Sequence, residues 1–212
     1  MKELARKNIH RIVVRTTNWI GDAVMTTPAL KAIRETFPDA CITVVANPLV
    51  AQLFAFHPDC DEVIEYDRQG QHAGLIGFLR FVALLRGRKF DCAILFQNAF
   101  EAALMAFLAG VPKRAGFMTD GRRLLLNHPV AVGETERTLH HTDYYLHMLA
   151  ECGVTTRGKQ QTLALRPDEI QWAAETLPRG RFAVINPGAA YGSAKRWVPE
   201  RFAAVGDKLF SE

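Results

Sequence analysis

No apolar run in the chain approaches the roughly 20 residues that a bilayer-spanning helix needs, so a membrane-crossing helix is excluded. The opening MKELARKNIHR is charged and precedes the first apolar run with no stretch of signal-peptide length. A cytoplasmic protein is expected, one still free to touch a membrane surface. Cysteine is sparse: Cys41, Cys60, Cys92 and Cys152 form no CxxC pair, and three of them lie in or beside apolar runs. That pattern fits buried free thiols in a reducing compartment rather than disulfides. Neither GxxxxGK[ST] nor GxGxxG occurs, so the P-loop and dinucleotide fingerprints are missing, and no cofactor is expected. Zinc-finger spacing and RNA-recognition signatures are missing too. No Ser–His–Asp, Cys–His or paired-carboxylate set assembles from the sequence. Charge of one sign is scarce: 26 Lys and Arg face 22 Asp and Glu, a net +4. That surplus favours anionic partners such as phosphates, acidic sugars or lipid headgroups, and is too weak to argue for nucleic acid.

What the chain does have is alternation. Hydrophobic residues are 49% of 212, enough for a large core. Strand-like runs at 11–16, 41–46, 62–66, 90–96 and 113–117 alternate with helix-like runs at 28–37, 49–56, 74–86 and 99–109. This reads as α/β, a doubly wound parallel sheet. From 118 to 138, Gly121, Asn127-His128-Pro129 and Gly133 break the pattern, and a long loop is expected. Helical periodicity returns at 140–152, and 155–161 reads as a linker. A helix at 168–177, a strand at 181–186 and a helix at 199–210 then form one further strand–helix unit. About 30 residues of that kind expose too much surface to bury a core of their own. The organisation expected is a Rossmann-like domain over 1–160, then, over 161–212, a linker and the start of a second such domain.

The stretch around which the rest is arranged is Asn18-Trp19-Ile20-Gly21-Asp22-Ala23-Val24-Met25-Thr26-Thr27-Pro28. It joins the first strand to the first helix, where open α/β sheets place ligands. Gly21 permits a tight turn or close approach of a substrate. Thr27 suits a helix cap with Pro28 at the first position. Asp22 projects from the loop with no neighbouring base in sequence, and either braces the turn or serves as a catalytic acid or base. Gln97-Asn98 lies at another strand's carboxyl end, either lining the same cleft or capping the next helix.

Four other clusters carry chemistry. The loop Pro187-Gly188-Ala189-Ala190-Tyr191-Gly192-Ser193-Ala194-Lys195-Arg196-Trp197 combines small residues, a hydroxyl and two cations between a strand and a helix. It suits a diphosphate, or is an ordinary loop with a solvated basic pair. Lys113-Arg114 and Arg122-Arg123 either hold anionic groups of an acceptor, on the side of the sheet where Asp22 is placed, or are solvated. His140-His141-x-Asp143-x-x-x-His147 has the look of a metal cluster, but a helix start rich in polar groups explains it more simply; no metal site is expected. Residues 74–86, followed by Arg88-Lys89, either cover the sheet or rest on an anionic membrane.

Several of these stretches carry a resemblance. The opening Asn18-Trp19-Ile20-Gly21-Asp22-x₅-Pro28-Ala29-Leu30 resembles the start of the family 9 glycosyltransferases, the ADP-heptose:lipopolysaccharide heptosyltransferases. Residues 97–104 (QNAFEAAL), 109–117 (AGVPKRAGF) and 187–199 agree. The last stretch is most similar to the branch that adds the second heptose of the inner core. The resemblance implies a GT-B architecture of two Rossmann-like domains: the first binds the lipopolysaccharide acceptor, the second most of ADP-heptose. It implies an inverting transfer with Asp22 as general base. It implies Gly188, Gly192, Ser193 and Lys195 on the donor diphosphate, in place of a metal ion. It implies Asn18, Gly21, Asn98, Lys113, Arg114, Arg122 and Arg123 on the acceptor, and allows peripheral contact with the cytoplasmic face of the inner membrane. Members of the family carry a whole second domain, so the expected function is that of a heptosyltransferase of which this chain is the acceptor half and the diphosphate loop. The alternatives are an acceptor-binding module without transfer, and a GT-B transferase for another sugar nucleotide.

Overall fold

The computed structural model describes residue 4 and residues 8–155, 158–189 and 196–211. Two units divide the chain, Met1–Leu165 and Arg166–Glu212. The first is built on six parallel strands: β1 Arg11–Arg15, β2 Cys41–Ala46, β3 Glu62–Glu65, β4 Cys92–Leu95, β5 Lys113–Phe117 and β6 His128–Val130. Their spatial order is β3-β2-β1-β4-β5-β6, and each neighbouring pair is parallel. The order reverses between β1 and β4, the crevice position at which doubly wound sheets bind ligands.

Period-two alternation assigns the side chains to the two faces. Ile12, Val14, Ile42, Val44, Ile94, Ala115 and Phe117 point to one face, with α2 (Thr27–Thr36) and α7 (His141–Glu151) packed over them. Val13, Val45, Ala93 and Leu95 point to the other, covered by α4 (Gly74–Gly87) and α5 (Phe100–Leu108). Both faces are therefore dry, and the strands read as near-continuous apolar runs. Cys92 and Cys152 are buried and Cys41 and Cys60 half-buried, all four as free thiols. Burial pushes the Cys60 and Cys152 thiols up to about 11 and the Cys92 thiol to about 12, which makes them poor nucleophiles.

The structure departs from the sequence expectations in three regions. The 18–28 stretch is not an open loop: α1 (Ile20–Met25) sits inside it, too short to show a helical period. α2 starts at Thr27 itself, whose hydroxyl donates to the Val24 carbonyl at 2.8 Å instead of capping. The 118–138 segment is not an unstructured loop. It holds a 3₁₀ turn (Arg122–Leu125), the strand β6 and α6 (Glu134–Thr138). β6 escaped notice because it is three residues long with Pro129 at its centre. Proline, lacking an N–H, is tolerated there because β6 lies at the sheet edge.

Between Pro48–Ala51, which is α3, and α4 the chain makes tight turns around β3. No helix among the described residues is long and apolar enough to cross a membrane.

The second unit contains α8 (Pro167–Thr176) and α9 (Pro199–Ser211). The strand expected at 181–186 is not formed: these residues pair with no ladder. An apolar run becomes a strand by hydrogen bonding to a neighbour, and none lies beside it among the described residues. None of the described residues of this unit is buried.

Candidate functional site

The carboxyl ends of β1 and β4 open onto two cavities that share Asn18, Trp19, Gln97 and Ala99. The first has a volume of about 540 Å³ and is bounded by Asp22, Asp120, Glu136, Arg137, His141 and Tyr144 among others. The second, about 780 Å³, reaches from Arg15 and Tyr66 to Asn47, Arg68 and Glu101.

Asp22 lies in the first turn of α1 and lines the first cavity. It is not unpartnered, as its local sequence suggests. His141, the first residue of α7 and 119 positions away, brings Nδ1 to 3.2 Å from Asp22 Oδ1. The Asp22 side chain is 31% exposed, so its carboxylate is held yet reachable from the cavity. Tyr145, on the same helix, is pushed upward by burial and by the Asp22 charge, and stays a neutral phenol. Gly21 has an ordinary backbone, so the turn does not need a glycine; a Cβ built there meets nothing within 4 Å. What Gly21 leaves is open space beside the cavity mouth.

Asn18 is fixed on two sides: its Oδ1 accepts from Arg15 Nη2 at 3.1 Å, and its carbonyl accepts from Asn47 Nδ2 at 2.9 Å. Arg15 is buried, and desolvation lowers its guanidinium to about 10; its Nη1 donates to the Thr16 and Val45 carbonyls. It is a brace beneath the crevice. Asn98 does not cap α5, whose N-cap is Ala99. Its Nδ2 donates to Tyr144 Oη at 2.9 Å and its Oδ1 accepts from Arg122 at 2.7 Å.

Of the two basic pairs, Arg122-Arg123 lies on the side of the sheet that sequence reading gives it and Lys113-Arg114 does not. Arg122 is fully buried; it donates to the carbonyls of Phe117 (2.7 Å) and Gln97, and burial lowers it to about 10. It ties the carboxyl ends of β4 and β5 together and is not a solvated anion grip. Arg123, its neighbour on the 3₁₀ turn, is exposed and lines neither cavity. Lys113 and Arg114 open β5 and pair with Cys92 and Ala93 of β4, at the amino end of the strands. Four residue steps along β5 put that end about 13 Å from the crevice side. Arg114 there donates to the carbonyls of Leu125 (2.6 Å) and Val111 (2.5 Å) and stacks over Phe107. The reason is simple: in a parallel sheet every strand presents the same end to the crevice, and this pair begins its strand.

The His-rich run disperses in the same way. His140 accepts from the Thr142 N–H, His141 meets Asp22, Asp143 pairs with Lys159 at 2.5 Å, and His147 faces Glu136 at 3.7 Å. Among the described residues no three potential ligands gather for a metal.

Sequence reading missed the far wall of the first cavity. Asp120 and Gly121 adopt left-handed backbones, φ 51 and φ 71, and so turn the chain after β5. Glu136 accepts from the Gly133 N–H at 2.7 Å, and backbone donors hold its carboxyl below the usual range. Gly121 and Gly133 signalled these turns; nothing local signalled that they close over Asp22. Of the diphosphate loop, Gly188 is exposed, with its N–H donating to Asn186 Oδ1 at 3.1 Å. Gly192, Ser193 and Lys195 lie outside the described residues.

A parallel sheet of this order, with an acid presented at its switch-point crevice, defines a Rossmann-type ligand-binding unit. The model of glycosyltransferase family 9 (heptosyltransferase) matches residues 78–212, and the chain belongs to that family. Lipopolysaccharide heptosyltransferase 2 of Escherichia coli K12 is 27% identical over 95% of this chain and 61% of its own length. Lipooligosaccharide heptosyltransferase 2 of Campylobacter jejuni is 25% identical over 92% and 55%. Among solved structures, a family 9 glycosyl transferase from Veillonella parvula superposes with a TM-score of 0.80 at 25% identity, covering 98% of this chain and 61% of that one. Heptosyltransferase II of E. coli superposes at 0.73 and 22% identity, covering 95% and 61%. The chain thus spans about three fifths of the length of these relatives.

Proposed function

We propose that the protein bearing this chain transfers a heptose from ADP-heptose to the inner core of lipopolysaccharide with inversion, and that Met1–Leu165 holds the acceptor. One observation carries the reading: in a family 9 chain, a carboxylate oriented by an imidazole 3.2 Å away stands at the mouth of the switch-point cavity. The relatives' names point to the same chemistry. A further neighbour of similar fold, the E. coli heptosyltransferase WaaC (TM-score 0.71), was solved with ADP-2-deoxy-2-fluoro heptose.

The step asks for these groups. An acceptor hydroxyl oxygen attacks the anomeric carbon opposite the diphosphate. The bond from that carbon to the diphosphate oxygen breaks, its electrons leave with ADP, and the hydroxyl proton passes to Asp22. His141, donating Nδ1–H to one carboxylate oxygen, leaves the other aimed at the acceptor. A base so placed contributes ~10²–10⁴-fold. Asn18, Asn98, the open space at Gly21 and the exposed indole of Trp19 form the acceptor side. The Thr17 hydroxyl, buried at the same cavity and without a hydrogen-bond partner among the described residues, is a further group for a sugar. Gly188, Gly192, Ser193 and Lys195 take the donor diphosphate, placing positive charge where negative charge develops. Arg122 acts from below by holding Asn98, and Lys113, Arg114 and Arg123 have no part in this cavity.

The test is a transfer assay with ADP-heptose and heptosylated core acceptor. Asp22→Asn is expected to lower turnover at least about a hundredfold while acceptor affinity is retained. Unchanged turnover removes Asp22 from the mechanism. A second reading, acceptor binding without transfer, is favoured for the 212 residues by themselves because the unit carrying the donor loop buries none of its described residues. Calorimetry separates the two: acceptor binding alone supports the second, and binding of both ligands with turnover supports the first.

A further inference from the structure

Helix α4 is apolar on both sides. Phe78, Phe81, Val82 and Leu85 are buried against the sheet. On the opposite side Leu75 is 73% exposed, Ile76 68% and Leu79 47%, with Leu84 at 43%. A helix that only covered a sheet would carry polar residues there. The helix and its near flanks are basic. Residues 68–90 contain Arg68, Arg80, Arg86, Arg88 and Lys89 and no acid. Arg68 and Arg88 are paired with Glu101 and Glu62. Arg86 donates to the Leu108 carbonyl at 2.6 Å, and Arg80 and Lys89 have no acidic partner among the described residues. Continuity with the crevice is the third observation: Asp67, Arg68 and Gln69, lining the larger cavity, lead directly into the end of α4 that bears Leu75 and Ile76.

We propose that the outer face of α4 is a lipid-surface contact. Leu75, Ile76 and Leu79 enter the headgroup–acyl boundary of a bilayer, and Arg80 and Lys89 meet its anionic phospholipid headgroups. Apolar burial combined with attraction to anionic lipid is what holds interfacial helices. A second copy of this chain fits the face less well, since a symmetric pairing sets these cations against each other. The proposal deepens the acceptor reading: an acceptor anchored in the bilayer offers its sugars to the cavity beside α4 while its lipid stays in the membrane. It gives the unit a reason to place its apolar helix next to the loop of Asp67–Gln69.

Vesicle co-sedimentation of the 212-residue chain tests it, with phosphatidylcholine vesicles compared with vesicles containing equal phosphatidylglycerol. The chain is expected to partition onto the anionic vesicles, and to do so less at high salt. Leu75→Gln/Ile76→Gln/Leu79→Gln, changes confined to exposed positions, is expected to lower that partitioning at least tenfold with an unchanged circular-dichroism spectrum. Arg80→Gln/Lys89→Gln is expected to weaken it and flatten its salt dependence. Equal partitioning of the triple variant and the parent overturns the proposal, as does a parent that stays in the supernatant. A dimer that the triple variant abolishes, in a chain that ignores vesicles, overturns it in favour of a second copy. Titration with de-lipidated core oligosaccharide keeps this apart from the acceptor reading: the triple variant is expected to bind it as the parent does.

Discussion

At the scale of single residues, the crevice is a set of polar groups held by others beneath them. Arg122 is the clearest case. Its guanidinium satisfies the carbonyls of Gln97 and Phe117 and the side-chain oxygen of Asn98 in a fully buried position. Arg122→Met leaves one buried and two half-buried acceptors short of a donor, and a loss of about 2–4 kcal/mol is expected from urea denaturation. Lysine should not restore it, because one ammonium cannot reproduce a fork that spans two strands. An Arg122→Met protein as stable as the parent would mean these bonds contribute nothing. The sequence showed this residue only as half of a basic pair. Which of Arg122 and Arg123 turns inward is set by the 3₁₀ turn that follows Gly121, and no composition rule reveals it. The place of Asp22 at the crevice was legible, because a strand followed by a glycine and an acid marks the carboxyl end of that strand, although the residue sits in α1 and not in a loop. His141 was not legible as its partner, because 119 residues separate them and only the packing of α7 against α1 and α2 brings them together.

At the scale of elements, β1 to β5 and their helices were legible because β1, β2 and β4 are largely apolar runs, β3 and β5 carry shorter apolar stretches at the same spacing, and the helices between them are bounded by glycine, proline or a charged turn. The elements that escaped are those too short for a period: α1 with six residues, β6 with three and α6 with five. The expected strand at 181–186 failed for the opposite reason. Its residues have strand character, but a ladder needs a neighbour as well as a propensity. Within α4, Gly77 is fixed by close approach. A Cβ there falls 2.4 Å from the His72 carbonyl carbon and 2.7 Å from its Cα and oxygen, all backbone atoms that cannot turn aside. Gly77→Ala would gain up to about 1 kcal/mol in helix propensity. Overpacking costs about 1–3 kcal/mol, so net destabilisation in thermal melts is expected. The displaced His72 stacks on Tyr66 and meets Phe81 edge-on, so disturbance should reach the larger cavity. A more stable alanine variant would show that the turn at His72 yields freely.

At the scale of the whole molecule, the two units differ in what protects them. The first buries two dry layers against a six-stranded sheet, while the described residues of the second bury none. Native-state hydrogen exchange should follow that division. Amides of β1, β2 and β4 are expected to exchange at the rate of global unfolding, and those of α8, 181–189 and α9 orders of magnitude faster. Uniform protection across both units would contradict the separation. The margins of the sheet have a consequence of their own. One border strand is β3, four residues long with Glu62 and Glu65 on it; the other is β6, interrupted by Pro129. A foreign strand annealing to either border meets carboxylates on one side and a missing hydrogen-bond donor on the other, the usual safeguards against amyloid-like stacking. A concentrated solution of this chain that clouds is therefore expected to do so through its bare apolar side chains, and to clear with mild detergent.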